Sequence, residues 1–571
     1  MQYTSKEVYE YISQQTNDPI VERKTCEVSG VQFPIYQSDL AFYDKISPVI
    51  NGVKYQIPTP KLCPEERERR RLSFRNERKL YRRTCDASGK AIISIYSPDK
   101  PHKVYNPKIW RSDSRDPMDY GRDFDFSRGF FEQFSELLIK VPKLGILNMQ
   151  SENSEYSNRS NSNKDCYLVF MSSYSENSLY GTFIQKSQSC IDCLQATHSV
   201  HCYECYDIEG CTQIHYSNHC SDCSFSSYLD YCHGCSYCYG CDNLRNKQYY
   251  IFNKQYTKEE YERILPTITK EQVEQAKQNI QRESTLVRCE NCVGTDIVDS
   301  KNCYKCYGGF EAIDSKYLLN FADTKDCYDC TAFGHNCAMN IENIAGEEDY
   351  MVGFTFSTVR THHVWYSMNC YDSSYLFGCD GLRNKQYCIF NKQYTKEEYE
   401  VLVAKIIGHM QQTGERGEFF PSSMSSFGYN ETVANEYYPI SKEESRNLGF
   451  AWMDQEYPIN IPENAQMIRA KDINNDINTI DDDITNKIIL CEDTEKPFRI
   501  VRPELDFYRK HQLPLPKKHP DVRHEERVMR RKSRNLFLIN CSICGKPELS
   551  SYSPTESSKI ICSECLEKST N

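Results

Sequence analysis

Nineteen residues, Leu244–Glu262 (LRNKQYYIFNKQYTKEEYE), return 138 positions later as Leu382–Glu400, with Tyr250 against Cys388 as the one difference. A near-verbatim internal repeat means a duplicated structural unit and constrains the architecture before any residue-level reading. QYYIFN and QYCIFN, rich in aromatic and β-branched residues, predict strands. Asn253-Lys254 and Asn391-Lys392 supply turn chemistry. Thr257 to Glu260 and Thr395 to Glu398 match the capping box, in which a hydroxyl and a carboxylate satisfy orphan helix N–H groups. Each copy therefore reads as strand, turn and capped helix, sealing the end of a stacked array.

Each copy also follows a cysteine-rich run. In the first, Cys190/Cys193, Cys202/Cys205, Cys211, Cys220/Cys223 and Cys232/Cys235 have leading cysteines in steps of 12, 9, 9 and 12, and Cys238 and Cys241 follow. Between them lie Ser, Asn, Asp, Tyr and His without helical periodicity. Such steps predict coils of a β-solenoid that stack like residues over like, with small buried thiols as an internal ladder. A second, less regular run extends from Cys289 to Cys379. The competing readings are an array of zinc or iron–sulfur sites, with His201, His215, His219 and His233 among the ligands, or a set of disulfides. Cys289/Cys292 with Cys303/Cys306 is the best metal candidate within the runs.

A second duplication joins the two ends of the chain. Cys491, Phe498 and Leu505-Asp-Phe-Tyr508 match Cys26, Phe33 and Leu40-Ala-Phe-Tyr43 at an offset of 465. From Pro514 the offset becomes 456, pairing Arg523, Arg527, Arg531 and Arg534 with Arg67, Arg71, Arg75 and Arg78, and Cys541 with Cys85. The C-terminal copy carries Cys541-Ser-Ile-Cys544 and Cys562-Ser-Glu-Cys565, two knuckles at a spacing suited to one tetrahedral Zn2+. The N-terminal copy has Ser88, Asn106 and Ile109 where three of those thiols stand, so it reads as a degenerate relative.

The pattern Cys-x-x-x-Gly, Phe-Tyr, Pro, Cys-Pro and Arg of these end modules resembles the probable-zinc-ribbon family of treble-clef type. The whole chain is similar to a group of cysteine-rich zinc-ribbon proteins of candidate-phyla bacteria, which share its CPEER, FRNER, YGRDFDFSR, NLRNK-to-KEEYE and YNETVA segments. The resemblance implies a zinc-binding treble-clef module and carries no activity with it.

The segments Cys63–Arg83 and Lys517–Arg534 are arginine-rich and predict helices with proline in the first turn. A basic helix beside a zinc ribbon suits nucleic-acid phosphates, which makes Arg67, Arg71, Arg75, Arg78, Arg523, Arg527, Arg531 and Arg534 candidate contacts. Interleaved glutamates offer the alternative of a solvated, self-paired helix. The net charge of −11 confines any nucleic-acid argument to such local runs. A mean hydropathy of −0.69, with no apolar run long enough to span a bilayer and no apolar leader, points to a cytoplasmic protein. FFEQFSELLI predicts a buried connecting helix, Asp123 and Asp125 a structural role, and Asp472–Asp483 a flexible acidic linker.

The expected architecture is mostly β with α: a degenerate zinc-ribbon-like module over 1–110, a helical connector over 111–165, and solenoids with capping helices over 166–288 and 289–470. The acidic linker over 471–490 and a zinc-ribbon module over 491–571 complete it. No nucleophile elbow, phosphate loop, dinucleotide fingerprint or HExxH helix is present. The function expected is a non-enzymatic zinc-binding scaffold that meets RNA, a ribonucleoprotein or another protein. A metal-dependent enzyme acting on nucleic acid and a thiol or metal reservoir are the alternatives.

Overall fold

A computed structural model describes residues 1–571 except 277–279, 283–284, 456, 458–460, 462, 464, 555–558 and 571. Its centre is a β-solenoid of about 19 turns in all, divided into two stacks. One coil takes 12 residues, as the parallel pairings Leu179 to Ile191 to Tyr203 to His215 show. Each coil has four sides of three residues. A left-handed residue turns every corner: Ser189, Asp192, Gln195, His198, His201 and Glu204 run in unbroken steps of three with φ between 49° and 58°.

The side of three explains the residues inside. The middle residue and the corner residue of a side bond to backbone of adjacent coils, as Ile191 N to the Cys202 carbonyl and Asp192 N to the Leu179 carbonyl. The third residue points inward, and its N–H would be orphaned in a dry interior. The inward side chain one coil earlier accepts it: Cys190 N donates to Ser178 Oγ (3.2 Å) and Cys211 N to Ser199 Oγ (3.2 Å). The same side chain donates to carbonyls two residues back and nine ahead, as Cys205 Sγ does to Tyr203 and Ile214. A small side chain that both donates and accepts meets these demands, which selects Ser and Cys. The Cys-x-x-Cys spacing is thus two successive sides of one coil, and steps of 9 and 12 are three and four sides. The inner thiols of Cys190 to Cys241 form one buried cluster.

The repeated stretch closes each stack as expected. Asn253 accepts from Asp242 N and donates to its carbonyl, and Asn391 does the same for Asp380. The chain then reverses into a short antiparallel strand, and both capping boxes form, on Thr257/Glu260 and Thr395/Glu398.

The end modules cross over. The N-terminal module, with helices Lys6–Thr16, Gln37–Ile46 and Pro64–Leu72, lies on the second stack: Lys305 pairs with Glu65, and Lys316 with Asp18 and Asp39. The C-terminal module, with helices Arg502–Lys510 and Pro520–Val528, lies on the first, where Tyr180 donates to Glu504 and Tyr203 packs on Tyr508. Duplicated positions of the stacks differ by 137 up to a one-residue insertion near 333–336 and by 138 after it, so Tyr180 answers to Tyr317 and Glu204 to Glu342. The connector helix Phe130–Lys140 is buried against Phe377 and Phe390 of the second stack. Asp123 holds Lys392 and Tyr394, a structural role as expected. The segment read as a flexible linker is instead ordered. Ile473, Ile477 and Ile484 enter the C-terminal module's core, and Asp482 binds Arg502 and Arg509. Isoleucines at intervals between the acids drive this burial.

Candidate metal centre

Cys541 ends the strand Phe537–Asn540, which pairs with Pro547–Ser550 to form a hairpin. Between them the backbone folds back on itself. Gly545 N donates to the Cys541 carbonyl (2.9 Å) at a residue with φ of 73°, where a side chain would be strained. The Cys541 sulfur accepts Ile543 N and Cys562 N (3.5 and 3.3 Å). Cys562 immediately precedes the helix Ser563–Thr570, and Cys565 lies in its first turn. The four sulfurs of Cys541, Cys544, Cys562 and Cys565 lie within 4.8 Å of one another. Four Zn–S bonds of about 2.3 Å in a tetrahedron set sulfurs about 3.8 Å apart. Cys544 and Cys562 stand at 3.7 Å, so the donor set fits a tetrahedral metal ion with little movement. The site is fixed from outside: Lys559–Ile561 pairs in parallel with Ile280–Arg282, the segment between the stacks, and Tyr11 of the first helix donates to the Pro547 carbonyl.

The other sequence-derived ligands do not converge. Cys289, Cys292, Cys303 and Cys306 are inward residues of the second stack, each donating its thiol to backbone carbonyls of its own and the next coil. Successive sides of a coil aim them at different neighbours, and they form no metal-ligand group among the described residues. In the N-terminal module Cys26 and Cys63 survive as a buried pair, with Ser29 bonding Cys63 (3.7 Å) and Glu66 turned to Arg69.

The arginine helices face inward. Arg67 pairs with Asp329 (2.9 Å), and Arg71 with Asp329 and Glu342 (3.2 and 2.6 Å). Arg523 pairs with Asp192 and Glu504, and Arg527 with Asp192 and Glu204 (3.0 and 2.9 Å). Asp192, Glu204, Asp329 and Glu342 are all corner residues. Each helix is thus stapled to the solenoid by the same duplicated set. Arg75 binds Glu77, and Arg78 lies on Phe170 and donates to Thr182. Arg531 and Arg534 pair with Glu436 and Glu68, pack on Tyr437 and line an open groove of about 530 Å³. Five of the eight expected phosphate contacts are therefore turned away from solvent. Arg67, Arg71, Arg75, Arg523 and Arg527 are buried, and reaching a phosphate would break buried ion pairs.

Sequence reasoning missed two clusters at module boundaries. Asp207, His219 and Asp296 bring three ligand atoms within 4.8 Å at the junction of the stacks, where His219 bonds Asp207 (2.8 Å) and Lys532 neutralises Asp296 (2.8 Å). The one-coil interval between Asp207 and His219 was readable, whereas Asp296 and Lys532 arrive through tertiary packing.

The second cluster is His201, His215 and His511, with ring centres 5.2 and 5.5 Å apart and Lys510 at 3.1 Å from His201. Burial pushes His215 and His511 down to about 4. Their pKa values lie below the unfolded value of about 6.5, so their contribution is full above that pH and is lost as pH falls towards 4. The expected loss is on the order of 3 kcal/mol for His215 and less for the more exposed His511. Denaturant melts between pH 7 and 4 check this, with His215→Gln flattening the dependence. Equal slopes in both proteins would refute it.

Comparison with protein-family models gives no match, and no curated protein matches the chain. Among the described residues, no helix is long and apolar enough to cross a membrane.

Proposed function

We propose that the protein is a non-enzymatic scaffold. Two stapled solenoids form its body, and its C-terminal module holds one structural zinc ion on Cys541, Cys544, Cys562 and Cys565 in treble-clef fashion. The convergence of these four sulfurs at a hairpin turn and a helix start carries the reading. Zinc would cross-link a hairpin and a helix that share only a small apolar cluster of their own. The duplicated outer faces of the solenoids are the surfaces offered to a protein partner. The burial of the arginine pairs weighs against RNA as that partner.

Metal analysis of the purified chain tests the reading. One zinc per chain is expected, retained through gel filtration and lost in Cys562→Ser. Absence of metal, or a content of four or more ions, would sink it, the latter in favour of an array along the cysteine runs. The same preparation made at low salt should carry no nucleic acid. Nucleic acid released by a high-salt wash would restore the RNA reading.

A further inference from the structure

The internal duplication places two equivalent junctions between the stacks, and their charge is balanced in only one. At the first, corners Asp207, His219 and Tyr231 of one stack meet corner Asp296 of the other, and Lys532 and Tyr552 of the C-terminal module close the site. Every charge there has a partner: His219 for Asp207 and Lys532 for Asp296.

At the second junction the offsets put Ala345, Ser357 and Asn369 in place of Asp207, His219 and Tyr231. Arg159 replaces Asp296, and Asn76 and Tyr96 replace Lys532 and Tyr552. The acids and the lysine are gone from these positions and one guanidinium has come in, while a self-paired Lys143–Asp380 ion pair (2.6 Å) stands on the same wall. Arg159 lies over the Phe356 ring (5.3 Å) and makes no ion pair and no hydrogen bond among the described residues, and its Nε is covered by protein. The Glu77 carboxylate, whose field it feels, is bonded to Arg75, a second cation nearby. Burial and Arg75 pull the Arg159 pKa down to about 9. Arg159 is half-buried, and a partly desolvated cation without a counter-charge is one that natural structures pair or hydrate.

The space for a counter-charge is present. A cavity of about 40 Å³ opens at Arg159, lined also by Asn76, Tyr96, Phe356, Ser357 and Tyr371. One water needs about 10–15 Å³ by this measure, so the volume suits a small polyatomic ion and excludes a nucleotide. The guanidinium fork matches two oxygens of one anion. The Ser357 and Tyr371 hydroxyls hydrogen-bond each other on the wall (3.3 Å), which leaves one O–H as a further donor.

We propose that this cavity binds a small oxyanion, with the Arg159 guanidinium as its anchor. The binding group is the same for a tetrahedral anion and for a carboxylate, and inorganic phosphate and formate are the two probes. Each is titrated calorimetrically into the full chain against sodium chloride at matched ionic strength. One saturable site per chain is expected for at least one probe, with a rise of about 3 °C in thermal midpoint at saturation. Response to phosphate alone assigns a tetrahedral anion, and response to formate alone a carboxylate.

Arg159→Gln removes the anchor and should abolish the response. Ser357→Asp supplies an internal carboxylate, and should raise the midpoint and abolish the response as well, which keeps the test open if Arg159→Gln does not fold. No saturable site for either probe in the wild-type chain overturns the proposal. So does a site that persists in either variant, which would mark an adventitious ion only.

Discussion

Asp192→Asn is expected to lower the unfolding free energy by about 3–5 kcal/mol. Asp192 is fully buried and is the shared counter-ion of Arg523 and Arg527, of which Arg527 is also fully buried. Removing its charge leaves two guanidiniums against Glu204 and Glu504, in an interior that cannot hydrate them. Burial already holds Glu504 up to about 7, so it is a poor substitute. The module and the solenoid are stapled there, so the loss should appear as detachment of the C-terminal module, read by hydrogen exchange over 470–550, before the coils open. Asp192→Asn with Arg527→Gln should cost less than the two single changes summed, because the ion pair is removed once. A loss below about 1 kcal/mol would show that the staple is ornamental. The same change at the duplicated position, Asp329→Asn, should detach the N-terminal module instead.

Cys211→Asp should be worse than any conservative change in the coils, and Cys211→Ser close to neutral. Cys211 is fully buried, donates to the Glu209 and Cys220 carbonyls and sits in an interior of thiols, serines and aliphatic side chains such as Ile208 and Ile214, with no charge among them to compensate an acid. Serine reproduces its hydrogen bonds, as Ser199 shows one coil earlier, so Cys211→Ser should stay within about 1 kcal/mol. An aspartate there would have its pKa raised by about 3–5 units, so at pH 7 it would be held largely protonated at a cost of about 4 kcal/mol. Because the folded pKa is raised, the penalty shrinks as pH falls towards the unfolded value near 4. The fold contains its own control. Asp349 occupies an inward position and is accommodated because Thr358, Thr361 and Asn343 donate to it, and burial still pushes it up to about 6. Urea melts at pH 7 and pH 5 decide the matter. A Cys211→Asp protein as stable as wild type would mean that the coil interior admits water.

The sequence by itself determined everything that is local and periodic. The nineteen-residue repeat marked where each stack ends, and its capping boxes formed at the predicted threonines, because a cap is satisfied within four residues of chain. The cysteine steps revealed the coils. Their common divisor of three also held the side length, the corners and the hydrogen-bonding reason for Ser and Cys inside. The four C-terminal cysteines were legible for the same reason, since a knuckle is a short backbone turn. The tertiary structure alone decided which way the arginine helices face. Their sequence suits a solvent-exposed phosphate grip equally well, and what turns Arg71 and Arg527 inward is a carboxylate at a solenoid corner hundreds of residues away. The crossing of the end modules also escaped the sequence, because duplication reveals which segments are alike and leaves open which of them touch. The same holds for Arg159: its corner is set by the period of three, while its missing counter-charge emerges only when the second stack packs against it.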